Sequence, residues 1–325
     1  MLVLGANLTL DRTMRVPRLV PGSVQRPAVV VTAGGKSVNV VRAARVHGVH
    51  ATLVANLPGT GGRHLHDLLL AEGHQVVPVR TAGELRSAVV VLEEDGRATV
   101  LNEPGPHLAP ADATALLSAL AGAAGGAGGH RVLVASGSLP PGTDPLLYAR
   151  VVAIARDHDL LAVLDAAGDA LGRALAAAPD VVSPNLAEAE ALLTGRRDET
   201  VEPEGDDVLE RALAAAHALR HRGARAAVVS AGRHGLALAD GEGGVLVAAP
   251  VVAEVNPIGA GDSLVAGLAA ALEAGAGLRE AVRVGVATAA ASVASPLAGG
   301  VDPAVLRDLL AGTAAAPVSP VGEPA

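Results

Sequence analysis

The stretch EVNPIGAGDSLVAGLAAAL (residues 254–272) sets Gly259, Ala260 and Gly261 directly ahead of Asp262, and of a run in which Leu264, Val265, Leu268 and Leu272 form one apolar stripe at helical spacing. That order puts the glycine turn at a helix N-terminus, where unpaired N–H groups and the positive dipole end attract anions. Glycines let the backbone close on a phosphate. Asp262, in the first turn, is placed to take a proton from a hydroxyl attacking that phosphate. An acid that merely stabilises a helix start satisfies the same residues, and the spacing alone leaves both readings open. The motif is not a dinucleotide fingerprint, since Leu264 stands where a third glycine is due, and no Gly-Lys-Ser/Thr follows as a P-loop requires.

A second glycine turn, TAGGKSVNV (32–40), carries a cation and an amide: Lys36 can hold a phosphate as a point charge, and Asn39, one turn on, can bond sugar hydroxyls. A strand-to-helix turn with an exposed lysine is the plainer alternative. In SPNLAEAE (183–190), Asn185 and Glu188 lie three apart on one helix face, where an amide oxygen and a carboxylate can orient the water shell of Mg²⁺. Asn at N-cap with Glu at N3 is also a capping box, which needs no metal. The histidines are scattered; His217 and His221 sit among arginines, as on a solvated helix face. Ser136 and Ser138 in ASGSLPPG lack the pattern of a nucleophile elbow.

These turns need strands behind them. Short apolar runs at 2–6, 51–57, 131–136, 161–166, 180–185 and 226–232 suit strands covered on both faces, while 37–48, 63–73, 144–158 and 207–223 carry apolar residues at helical spacing. The alternation predicts an α/β fold, a mostly parallel sheet with helices on both faces. Residues 12–33 and 84–101 break the rhythm and read as hairpins, the second turning at Glu94-Asp95-Gly96; together they predict a small antiparallel lid. The Ala/Gly segment 121–129 and the stretch 202–207 read as loops, and 313–325 as a disordered tail behind a single domain over 1–312.

Half of the 325 residues are hydrophobic and 18% charged, enough for a large core. With no Phe, no Trp and one Tyr, that core is built from Ala, Val and Leu, and stacking platforms for single-stranded nucleic acid are missing. A net charge of -8 without a basic run argues against nucleic acid as a partner. The absence of cysteine excludes disulfides and thiolate chemistry. The start, MLVLGANLTLDR, lacks a basic region and meets Asp11 early, which predicts a cytoplasmic protein. The uncharged run 284–301 contains Pro296 and is rich in Ala, Gly and Ser, so it predicts a buried helix and turn rather than a membrane span.

Taken in order, NLTLDRTMRV, GGKSVNVVRAARVHG, LNEPGP, SGSLPPG, PNLAEAEALLTG, SAGRHG and VNPIGAGDSLVAG resemble the PfkB, or ribokinase-like, family of sugar kinases from about residue 2 to about 300. The resemblance implies a Rossmann-type three-layer core with a β lid, Mg²⁺ and ATP as phosphoryl donor, and a ketohexose phosphate as acceptor, fructose 1-phosphate ahead of tagatose 6-phosphate. It implies that Gly259, Ala260 and Gly261 form the anion hole and that Asp262 is the general base. It gives sugar contacts to Asp11, Gly34, Gly35, Lys36 and Asn39, the acceptor's phosphate to Arg86 with Ser138 beside it, Mg²⁺ and ATP phosphates to Asn185 and Glu188, and a nucleotide turn to Ser230, Gly232 and Gly235. A homodimer joined through the lid, with AVVV (88–91) as the pairing strand, completes the expectation.

Four positions depart from the family pattern: Ser37 where a glycine is usual, Ala88 for Asn, Ser183 for Lys and Pro257 for Thr. Pro257 removes an N–H and a hydroxyl beside the phosphate site. Pro257, Ser183 and Ala88 motivate one rival, a sugar-phosphate sensor without turnover; a related kinase for an unphosphorylated sugar or nucleoside is another.

Overall fold

The computed structural model describes residues 1–126, 128–195, 205–313 and 315–317. The first strand, β1 (Leu2–Gly5), is wholly buried, as its unbroken apolar LVLG requires of a strand with cover on both faces. From its end the chain leaves the plane as β2 (Thr9–Val16), returns as β3 (Val29–Gly34) and turns at once into α1 (Lys36–Ala44). Then follow β4 (Thr52–Pro58), α2 (Gly59–Ala71), β5 (Gln75–Thr81), a second excursion through β6 (Ser87–Glu93) and β7 (Ala98–Asn102), α3 (Pro110–Ala124), β8 (Val132–Ser136), α4 (Leu147–Asp157), β9 (Leu161–Asp165), α5 (Gly168–Leu175), β10 (Val181–Val182) and α6 (Leu186–Thr194). The last part holds α7 (Val208–His221), β11 (Ala226–Ser230), β12 (Leu236–Asp240), β13 (Gly243–Val247), α8 (Ala260–Glu273), α9 (Leu278–Val293), α10 (Pro303–Gly312) and β14 (Ala315–Pro317).

One sheet has ten strands in the order β14-β13-β12-β11-β10-β9-β8-β1-β4-β5. It is parallel from β5 to β11 and antiparallel beyond. The chain winds from β1 outward to β4 and β5, then restarts on the other side at β8, so the strand order reverses between β1 and β8 and opens a crevice at their carboxyl ends. Successive strand residues point to opposite faces: Leu2 and Leu4 join a core under α3, α4, α5, α6 and α7, while Val3 joins one under α1, α2, α8 and α9. This is the α/β architecture expected from the alternation of runs. Tyr148, the lone aromatic residue, lies fully buried in the first core and donates its hydroxyl to Gly137 O at 2.7 Å.

The second sheet has four strands, β3-β2-β6-β7. Its hairpins are antiparallel, but the seam between them, β2 with β6, is parallel, so the lid is a mixed sheet and not the antiparallel one expected. The reason is topological: β2 follows β1 and β6 follows β5, both parallel strands of the main sheet, so both excursions set out in the same direction. The AVVV run is an inner strand with Ala88, Val90 and Val91 buried, and is therefore unavailable for pairing with another copy.

Two expectations are corrected in part, residues 125, 126, 128 and 129 lying outside helix and strand as expected. Ala121–Ala124 complete α3 because alanine loses no side-chain entropy in a helix and Leu116 and Leu120 anchor the preceding turns; the helix stops at Gly125. Within the expected tail, Ala315–Pro317 add a strand to β13. Residues 202–204, 314 and 318–325 lie outside the described residues.

Helix α8 must bring its first turn to the crevice, and its pairing with α9 fixes where it sits. A Cβ added to Gly267 would stand 2.3 Å from Thr288 Oγ1 and 3.0 Å from Val284 O, and one on Gly285 would stand 2.8 Å from Leu264 O. Neither glycine leaves room for a methyl group. Gly267→Ala is expected to destabilise the protein by roughly 1–3 kcal/mol through overpacking, read as a lower urea midpoint; an unchanged midpoint would mean that the helices part without cost.

Candidate active site

Gly259 caps α8 in the left-handed conformation (φ 85°, ψ 7°), which glycine adopts without strain. Ala260 N–H turns back to Pro257 O at 3.3 Å, and the helical ladder begins with Ser263 N–H to Gly259 O at 2.9 Å. Among the described residues the N–H groups of Gly261 and Asp262, which lie between them, have no backbone acceptor, and a Cβ built on Gly261 meets nothing within 4 Å. Open space at a helix N-terminus is what an anion hole needs. Proline at 257 is accommodated because Asn256 Oδ1 accepts from Ile258 N–H at 3.0 Å, so an Asx turn shapes the approach instead.

Asp262 is buried and accepts from Asn39 Nδ2 at 2.8 Å. Burial pushes its carboxyl up to about 7, with Lys36 pulling it back, Asp165 raising it further, the Asn39 bond lowering it and Glu188 raising it. A buried carboxyl of raised proton affinity, set beside an open helix N-terminus, is suited to proton transfer.

Lys36, the first residue of α1, stands across the crevice: its Nζ lies 3.2 Å from Asp165 Oδ1 and 3.8 Å from Glu188 Oε1. Asp165 foremost holds the ammonium charged, against the cost of burial. Asp165 itself is buried at the end of β9 and also accepts from Ser136 Oγ at 2.7 Å, at the end of β8. Ser37, in the place of a glycine, is no passive substitute: its hydroxyl lies 2.8 Å from both Leu4 O and Ser136 O, where the strand order reverses.

The lid supplies the opposite wall. A Cβ on Gly34 would fall 2.1 Å from Asp11 Cγ, so the Asp11 carboxylate lies directly over the Gly34 backbone. Gly35 takes φ 101° to turn the strand into α1. Burial lifts Asp11 to about 6, while Arg42 and Arg86 pull it down, and its buried Oδ1 has no hydrogen-bond partner among the described residues. An orphan acceptor of this kind suits an incoming hydroxyl. Arg86 spends its guanidinium on Asn7 O at 2.9 Å, Leu8 O at 3.3 Å and Glu103 O at 3.2 Å, with burial lowering its charge affinity. Ser138 is exposed and accepts from Asn7 Nδ2 at 3.1 Å.

On the other side of Lys36, Asn185 caps α6 and forms the full capping box: Glu188 N–H donates to Asn185 Oδ1 at 2.8 Å and Asn185 N–H to Glu188 Oε2 at 2.9 Å. Both readings of the pair thus share one geometry, since Glu188 Oε1 still faces Lys36. Ser230 forms a parallel bridge with Asn185, which sets the two motifs side by side. Gly235 is demanded by packing, because a Cβ there would lie 2.0 Å from Val247 O, whereas Gly232 faces open space. Among the described residues no three carboxylate or histidine groups converge on a metal position. The donor set fits Mg²⁺ all the same, an ion that keeps its waters and leans on one or two carboxylates plus substrate phosphates.

Asp262, Lys36, Asn39 and Glu188 therefore gather at one crevice, with Asp11 on the lid strand β2 and Arg86 just ahead of the lid strand β6. Three contributors were not identified from sequence: Asp165, Asn7 and Arg42. Asp165 closes an apolar strand run, which marks it as an acid at a strand end and gives it no role; nothing local marks the others.

A crevice at the carboxyl ends of parallel strands, roofed by a small sheet and bordered by a glycine turn with a buried carboxylate, is the arrangement of a ribokinase-like phosphotransferase. The chain belongs to the pfkB family of carbohydrate kinases, whose family model matches residues 2–304. A 1-phosphofructokinase from Rhodobacter capsulatus is 34% identical over 292 residues, covering 86% of each chain. The ATP-dependent 6-phosphofructokinase isozyme 2 of Escherichia coli K12 is 32% identical over 287 residues, 87% of this chain and 89% of that one. The tetrameric inhibited form of phosphofructokinase-2 from Escherichia coli matches with a TM-score of 0.84 at 30% identity, over 96% of this chain and 98% of that one.

Asn185→Ser separates capping from nucleotide binding. Serine caps as well as asparagine, so the helix keeps its stability to within about 0.5 kcal/mol, while the KM for Mg-ATP rises several-fold. A KM at the parent value would leave Asn185 with the cap alone.

Proposed function

We propose that this carbohydrate kinase transfers the γ-phosphoryl group of ATP to the free primary hydroxyl of a ketohexose phosphate, fructose 1-phosphate in the first instance, in the cytoplasm. The observation that carries the proposal is Asp262, a buried carboxylate bonded to Asn39 beside an open helix N-terminus and opposite a lid that holds the orphan acceptor of Asp11. Both named phosphofructokinase relatives support a phosphorylated acceptor.

In this reading Asp11 accepts a hydrogen bond from a sugar hydroxyl, and Arg86 with Ser138 meets the acceptor's phosphate, for which Arg86 exchanges backbone carbonyls for a stronger anionic partner. Asp262 takes the proton of the attacking hydroxyl while the Gly261 and Asp262 amides, with those of the turn before them, receive the charge on the transferring group. Lys36 balances negative charge beside them. Glu188 and Asn185 would hold Mg²⁺ through its waters, and the ion would offset the charge of the triphosphate. The lid keeps water out of the crevice.

Two copies associate through the lid in the same reading. Its outer strands expose Val29, Val30 and Leu101, with Val30 at 60% and Leu101 at 63%, more apolar surface than a free sheet edge favours. Among the described residues no helix is long and apolar enough to cross a membrane.

ADP release is expected with fructose 1-phosphate above fructose 6-phosphate, tagatose 6-phosphate, ribose and free fructose, and Asp262→Asn is expected to lower kcat by about 10²–10⁴-fold. Turnover on an unphosphorylated sugar alone, or full activity in the variant, would refute the assignment. The pH dependence follows from the direction of the Asp262 shift: the base works deprotonated, so kcat/KM is flat above pH about 7 and falls tenfold per unit below it. A profile flat down to pH about 5 would place the essential proton elsewhere.

A further inference from the structure

Arg42, at the end of α1, has a side chain only 10% exposed and uses its whole donor fork. Nε and Nη2 grip Glu72 at 3.0 Å each, Nη2 also reaches Ala33 O at 3.0 Å, and Nη1 reaches Ala298 O at 2.9 Å and Asn39 Oδ1 at 3.2 Å. The amide of Asn39 then turns its other end to Asp262.

We propose that Arg42 is a positioning residue for proton transfer, locking the Asn39 side chain so that its NH₂ group, and not its carbonyl oxygen, faces the Asp262 carboxylate. A primary amide has one donor end and one acceptor end. Flipped, Asn39 would set its NH₂ against a permanent cation and its oxygen against a carboxylate, two repulsive contacts in place of two attractive ones. Because a guanidinium stays charged at every working pH, the orientation holds whether or not Asp262 carries its proton.

The mount also ties the base to its surroundings. Ala33 precedes Gly34, the backbone beneath Asp11, and Ala298 lies where a Cβ on Gly259 would meet it at 3.4 Å. Arg42 thus joins the root of the lid, the end of α2, the loop after α9 and the anion-hole turn through one planar group. Asp262 is otherwise faced by Lys36 from α1, Asp165 from β9 and Glu188 from α6, while Arg42 faces Glu72, with His74 behind it, and Asp11. Lys36 is paired with Asp165 and Glu188, so it does not substitute for Arg42 at the amide.

The proposal rests on Asp262 being the base, and the test separates the two. Arg42→Met is expected to lower kcat by roughly 10–100-fold, to leave the KM for Mg-ATP within about twofold, and to move the acid limb of the kcat/KM profile upward by about half a pH unit or more. Asn39→Ala should give the same displacement, and the double variant no more than Asn39→Ala alone. Arg42→Lys should stay displaced, since an ammonium lacks the fork. A reduced kcat with an unmoved limb, displacements that add, or full rescue by lysine would each overturn the assignment. If Arg42→Met does not fold, Glu72→Gln loosens the mount while keeping the guanidinium, and an unmoved limb there overturns it equally. An acid limb that persists in Asp262→Asn would instead overturn the base.

Discussion

Everything at the crevice turns on holding three carboxylates around one ammonium in a partly dry space. Asp262, Asp165 and Glu188 all act on Lys36, and Lys36 is too little positive charge for the three. The molecule divides the burden by geometry. Asp165 takes the lysine directly and a serine hydroxyl besides, Glu188 spends one oxygen on a helix cap, and Asp262 is left with an amide donor and a raised proton affinity. The excess of negative charge leaves Asp262, nearest the open helix end, with its raised proton affinity.

Such a site needs rigid walls, which this core builds from small side chains. Without Phe or Trp, packing density depends on Ala, Val and Leu and on glycines where helices touch. Gly267 and Gly285 let α8 and α9 approach to backbone contact, and α8 presents Asp262 at its mouth. On the other side Tyr148 pins Gly137, one residue before Ser138. Positions far from the chemistry thereby set the distance across it.

The lid works by the same economy. Asp11 rests on the bare backbone of Gly34, and a single methyl there would displace it. The mixed sheet follows from two excursions that leave parallel strands in one direction, and its inner strand β6 is largely buried while the outer ones keep exposed valine and leucine.

Much of this was legible in the chain. Apolar runs separated by helical stripes implied the parallel sheet, and the glycine turns before Lys36 and Asp262, with Asn185 and Glu188 at a helix start, implied phosphate chemistry, because periodicity and helix-end composition are local properties. Residues whose meaning depends on distant partners were not legible. Asp165 reads as the end of a strand until Lys36, 129 positions away, is folded against it. Arg42 reads as a surface arginine on a helix until Glu72, Ala298 and Asn39 close around its fork. Ser37 reads as a departure from pattern until its hydroxyl is seen between β1 and β8. The sequence by itself determined the strand and helix alternation and the glycine turns that open α1 and α8, since these follow from side-chain type and spacing. Only the tertiary structure decided the parallel seam of the lid, the pairing of charges and the proton affinity of Asp262, because burial and hydrogen bonding across the crevice exist only once the chain has closed on itself.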